Sequence, residues 1–142
     1  MEIREITSFS IETKTIIENF LKLLVKKNIL ISELILKELI DSKNSHLFFV
    51  FNESGNCMGM LTIGIYISPL GKKAWIEDVV VDEIYQGNHV GENLIKFAIN
   101  FAKKEHVGLL MLTSNPKKVA ANKLYIKSEF ERKETNCYKM TL

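Results

Sequence analysis

The sequence predicts a mixed α/β (α+β) fold with a mostly antiparallel central sheet and about four helices around it. Three observations carry this. Two helix-period segments stand together near the N-terminus, and three strand-like runs joined by short turns follow them. The last third then passes from helix to strand to helix. The order strand, two helices, three strands, helix, strand, helix, strands is not the regular alternation of a doubly wound sheet.

Glu2 to Ile6 reads as a short first strand. From Ser10 to Val25, Ile11, Ile16, Ile17, Phe20, Leu21, Leu24 and Val25 recur at helical spacing. Ser10 is a fit cap, although Thr13 three residues on makes a poor capping box. A second helix follows Ser32, with Leu34, Ile35, Leu36, Leu39 and Ile40 apolar and Glu33 suited to its first turn. His46 to Phe51, Cys57 to Ile67 and Ala74 to Val81 are strands, separated by Asn52-Glu53-Ser54-Gly55-Asn56 and by Ser68-Pro69-Leu70-Gly71. Such short turns imply an antiparallel meander. Gly59 and Gly64 inside the second of these strands mark either a bulge or close approach by something else, or merely a weakened strand.

Gln86 to Gly91 is a loop, Glu92 to Glu105 an amphipathic helix, Leu109 to Leu112 a buried strand, and Lys117 to Lys127 a further helix. Phe130 to Leu142 is expected to add one or two strands.

Composition narrows the function. The 142 residues suit one domain, 1–142, and 46% hydrophobic with 25% charged residues is a globular balance. Nineteen Lys plus Arg against seventeen Asp plus Glu leave +2, too little for a general polyanion binder, so no nucleic-acid partner is expected. No apolar stretch approaches the roughly 18 residues that span a bilayer, so no membrane role is expected. The charged start Met1-Glu2-Ile3-Arg4-Glu5 does not read as a signal peptide. Cys57 and Cys137 alone make neither a disulfide framework nor a zinc site, and His46, His89 and His106 are too scattered for a metal. A reduced, cytoplasmic protein without a metal is the expectation.

The segment with chemical content is the strand, glycine-containing loop and helix from Ala74 to Glu105. Loop amides and the first helical turn present unpaired N–H groups, which with the helix dipole favour phosphate. Glycines allow close approach of the backbone to oxygen atoms. The spacing matches neither the P-loop nor the three-glycine dinucleotide fingerprint, so a plain strand-to-helix turn remains the alternative.

Ile76-Glu77-Asp78-Val79-Val80-Val81-Asp82-Glu83 followed by Tyr85-Gln86-Gly87 resembles the GCN5-related N-acetyltransferase (GNAT) family. Gln86 and Gly91 match the first and last positions of that family's loop signature, and Ala121, Leu124, Tyr125 and Phe130 match a second signature. In element order the resemblance runs from Glu2 to Leu142; in motifs it runs from Trp75 to Phe130. Within the family, Trp75 to Val81 most resembles the strand of glucosamine-6-phosphate N-acetyltransferases. Leu112-Thr113-Ser114-Asn115-Pro116, with Ala120-Ala121-Asn122 and Glu134-Thr135-Asn136, is similar to small bacterial members of unassigned substrate.

The resemblance implies acetyl transfer from acetyl-CoA to a primary amine of a small molecule or peptide by direct attack. It implies that Gln86, Gly87, Asn88, His89, Val90 and Gly91 hold the pyrophosphate. The central strand would open beside its neighbour, so that backbone at Val79, Val80 and Val81 pairs with the pantetheine arm. Asn115, Lys118 and Asn122 would join the cofactor site. Glu77 is implied as the base and Tyr125 as the acid for the thiolate. Alternation along a strand sends Glu77 and Asp78 to opposite faces, so only one is expected to face the acceptor.

Each assignment has a structural alternative. Glu77 can be a carboxylate paired with Arg or Lys, Tyr125 a ring packed on the sheet, and Asn122 a solvent-facing amide. Tyr66, Trp75 and Tyr138 can line an acceptor pocket but are more simply core or edge aromatics. Three residues depart from the family pattern: His89 at the loop's middle glycine, Lys118 at an Asn, and Glu129 at the glycine before Phe130. If position 89 needs positive φ, His is tolerated at some cost. The competing function is therefore a CoA-binding or protein-interaction module with little turnover, marked by His89. An exposed final strand would offer a surface for a homodimer.

Overall fold

In the computed structural model, which describes residues 1–142, five strands form one sheet in chain order. The strands are β1 (Glu2–Glu5), β2 (Ser45–Phe51), β3 (Cys57–Ser68), β4 (Gly71–Val81) and β5 (Leu109–Leu112). The helices are α1 (Ile11–Val25), α2 (Glu33–Asp41), α3 (Val90–Lys104) and α4 (Val119–Lys127). β1 to β4 run antiparallel as a meander, and β5 lies parallel to β4 after the α3 crossover. The mixed, mostly antiparallel sheet with four helices is the expected architecture.

The sheet is covered on both faces. On β2, Leu47 and Phe49 point toward α1 and α2, where they meet Ile17, Phe20 and Leu36. Phe48 and Val50 point the other way, toward Val90, Leu94, Ile95 and Ala98 of α3. A run of four buried apolar residues is what a strand sandwiched between helical layers requires. Ser10 caps α1, its Oγ accepting from the Thr13 amide at 3.0 Å. Ser32 precedes α2 without a side-chain cap bond.

Two irregularities place the site. Thr62 pairs with Glu77 and Met60 with Val80, so Leu61 stands opposite two residues, Asp78 and Val79. Asp78 takes φ 51°, a left-handed conformation that Asp tolerates better than most residues. This β-bulge reverses the facing of the strand beyond it: Ile76 and Val80, four residues apart, belong to opposite core clusters. Gly59 permits it, since a Cβ there would lie 2.5 Å from the Val80 carbonyl oxygen. The glycine thus marks both a bulge and a close approach, and what approaches is β4 itself.

The expected strands between Phe130 and Leu142 do not form; no residue after Lys127 is helical or extended in a ladder. Glu131 to Asn136 carries no apolar residue to bury, and Tyr138, Met140 and Leu142 stay exposed. Phe130 instead turns back, its amide donating to the Tyr125 carbonyl at 3.0 Å.

Candidate active site

The ladder between β4 and β5 ends at Ile76 and Leu112. Beyond it β4 continues for five residues with no strand on that side, because the bulge at Asp78 bends it away. The separation opens a cavity of about 270 Å³. Its walls are Ile76 to Val79 of β4, Leu112 to Asn115 after β5, Lys118, Ala121 and Tyr125 at α4, and Leu24 and Val25 from the end of α1.

Both carboxylates of β4 line this cavity, which corrects the expectation that alternation would separate them. Strand alternation fails where a bulge inserts a residue. Neither Glu77 nor Asp78 is within ion-pair distance of a cation. Desolvation raises the proton affinity of Glu77, and the neighbouring Asp78 charge raises it further. Asp78 is also raised, by desolvation. Tyr125 is half-buried, and burial holds its phenol protonated above the ordinary tyrosine range. Its ring packs edge-on against Phe130 with centroids 6.2 Å apart.

At the far end of β4 a single 3-10 turn, Glu83–Tyr85, leads into the loop and α3. Gln86 Nε2 donates to the Val81 carbonyl at 3.2 Å and ties the loop to the strand end. Gly87 has φ 81° and His89 φ 59°, so position 89 does take the left-handed backbone. Helix α3 begins at Val90, earlier than expected, and Val90 and Gly91 form its first turn. The amides of Gly87, His89, Val90, Gly91 and Glu92 donate to no protein acceptor, whereas that of Asn88 reaches the Tyr85 carbonyl at 3.4 Å. Unpaired N–H groups at the start of a fifteen-residue helix are donors of the kind that suit an anion. The His89 ring is held by Glu92, Nδ1 lying 3.1 Å from Oε2.

The remaining expected residues divide. Val79, Asn115 and Lys118 line the cavity. Val80 is buried under α1 and α2, and Val81 packs on the α3 face beside Gly91. Val90 is buried in the α3-side core. Asn122 faces neither solvent alone nor the cavity: its Nδ2 donates to Ser114 Oγ (3.3 Å), the Asn115 carbonyl (2.9 Å) and the Lys118 carbonyl (2.8 Å). Tyr66, Trp75 and Tyr138 lie outside the cavity. Leu24, Val25, Thr113 and Ser114 are wall residues that sequence reasoning missed; the helical period of α1 marked its two only as core.

Residues 17–130 match the family of acetyltransferases described as the acetyltransferase (GNAT) family. The chain belongs to that family. No curated protein matches it. Among solved structures, an aminoglycoside acetyltransferase from an uncultured soil metagenomic sample is similar at 16% identity, with a TM-score of 0.87 over 99% of this chain and 95% of that one. A transcriptional regulator from Bacillus halodurans C-125 is similar at 24% identity and a TM-score of 0.83, covering 99% of each chain. Glucosamine-6-phosphate N-acetyltransferase from Arabidopsis thaliana follows at 21% identity and a TM-score of 0.73, over 98% of this chain and 97% of that one. At such identities these GNAT-like neighbours speak for the fold.

Proposed function

We propose that the protein, as a single acetyltransferase domain over 1–142, moves an acetyl group from acetyl-CoA to a primary amine of a small molecule or peptide by direct attack. One observation carries this reading: from Glu77 to Val81, β4 has no ladder partner on its β5 side; a cavity lined by Glu77, Asp78 and Tyr125 stands at the start of that stretch, and its end leads into the loop of unpaired amides before α3. Those amides suit a pyrophosphate. The unladdered side of Val79 to Val81 suits an extended, amide-bearing arm. Bound there, acetyl-CoA supplies the activated thioester carbonyl.

The chain's residues then divide the work. Glu77 Oε takes a proton from the amine, directly or through water, and its raised proton affinity makes it a stronger base than an ordinary carboxylate. Asp78 sharpens that basicity by its charge. Tyr125 Oη keeps its proton and offers it to the departing sulfur. Gln86 fixes the loop on Val81, and Lys118 brings a cation to the cavity wall. Leu24 and Val25 give the acceptor side an apolar surface. A cytoplasmic setting belongs to the same reading.

Calorimetric titration with acetyl-CoA tests it. Micromolar binding, followed by thiol release with members of an amine panel, is the expected result. No binding up to millimolar concentrations would overturn it in favour of an interaction module with a vestigial loop.

A further inference from the structure

We infer that Glu92 is a positioning residue: through Lys127 it fixes the helix that carries Tyr125 and couples the amide loop to the cavity. This rests on the role proposed above for Tyr125. Helix α4 has nine residues, none of them fully buried. Its first half is fastened by Asn122, but to Ser114, Asn115 and Lys118, the segment leading into it. Loop and helix therefore form one piece, which Leu124 and Tyr125 hold to the α3-side core by apolar packing alone. Tyr125 sits between Asn122 and the far end.

That far end adds a polar tie. Lys127 Nζ lies 3.0 Å from Glu92 Oε2, the one polar side-chain contact from α4 to α3. The same oxygen takes His89 Nδ1 at 3.1 Å. An exposed ion pair alone contributes little. Here one carboxylate is held by two donors and stands in the first turn of α3, where the helix dipole favours it. Next to it, a Cβ on Gly91 would lie 3.3 Å from Leu124 Cδ2, so the two helices meet closely at this point. The start of α3 thus touches α4 at two points, Gly91 against Leu124 and Glu92 against Lys127, on either side of Tyr125.

Steady-state kinetics of Glu92→Gln, Lys127→Met and the double variant, each with and without Tyr125→Phe, test this. Each single change is expected to lower kcat about three- to tenfold, with KM for acetyl-CoA within about twofold. The double variant should be no worse than either single, and none should add to Tyr125→Phe. Additive losses, a change in KM alone, or equal losses in the Tyr125→Phe background would overturn the proposal. Hydrogen exchange separates it from the proposed function: α4 amides should exchange faster in Glu92→Gln, with α1 and α2 unchanged. A wild-type protein that transfers no acetyl group would sink the proposed function, and unaltered α4 exchange would sink the tether.

Discussion

Glu77 and Asp78, neighbours on β4, line the same cavity because the left-handed backbone of Asp78 inserts an extra residue into the strand. Burial raises both unpaired carboxyls, the Asp78 charge raises Glu77 further, and the pH dependence of turnover reads this directly.

The rate that depends on ionised Glu77 rises with pH through that carboxyl's titration. Desolvation and the Asp78 charge put this limb above the ordinary carboxylate range. Asp78→Asn keeps a residue that tolerates positive φ and removes the neighbouring charge, so the limb should move to lower pH. Glu77→Gln should flatten it. A profile of kcat/KM against pH that ignores both changes would remove Glu77 as the base. The sign for stability is the reverse: because both carboxyls are raised in the folded state, their contribution is full at low pH and is lost as pH rises through their folded titration.

Tyr125→Phe removes the phenol O–H, the proposed proton donor, and keeps the ring against Phe130. We expect kcat to fall by about two orders of magnitude, within the range for a lost general acid, with acetyl-CoA affinity nearly unchanged by calorimetry. A large loss of affinity would show instead that Tyr125 holds the donor.

His89 occupies left-handed space that glycine adopts freely. His89→Gly relieves a left-handed strain of about 1–2 kcal/mol, offset by about 0.4–1 kcal/mol from the greater freedom of glycine in the unfolded chain and by loss of the Glu92 contact, so a net gain below about 1 kcal/mol is expected. Urea midpoints measure the sum. If the same change also raises acetyl-CoA affinity greatly while the natural protein scarcely binds, the interaction-module reading gains.

Gly59→Ala places a methyl against the Val80 carbonyl oxygen, a contact of 2.5 Å before relaxation. Thermal unfolding should show a loss of about 1–3 kcal/mol, the scale of overpacking a core. An unchanged Tm would mean that the β3–β4 bulge adjusts freely.

The elements were legible because their signals are local. Leu94, Ile95, Ala98 and Ala102 mark the buried face of α3 without any knowledge of the sheet, and the β2–β3 turn announces itself in Asn52 to Asn56. The bulge was not legible at its own position. Asp78 carries neither glycine nor proline, and three valines in succession hide which face each one takes. Gly59, on the neighbouring strand, held the only hint. The loop signature was visible, yet Gly91 also serves α4: a side chain there would press on Leu124. Asn122 reads as a ligand contact by motif, and its bond to Ser114, eight residues back across a turn, follows no helical or strand period. The tail misled because its last apolar residues alternate while the charged stretch before them offers no face to bury.

Asp78 is, in effect, one residue too many for the strand it occupies. A chain lacking it would pair Leu61 with Val79 alone and lose the kink that parts β4 from β5. Ile76 and Val80 would then be odd-spaced partners rather than even-spaced ones, a spacing that a regular strand assigns to opposite sides without any distortion. The valines could keep their present burial in a straight, fully hydrogen-bonded sheet. The fold has no need of the extra residue; only the opening does.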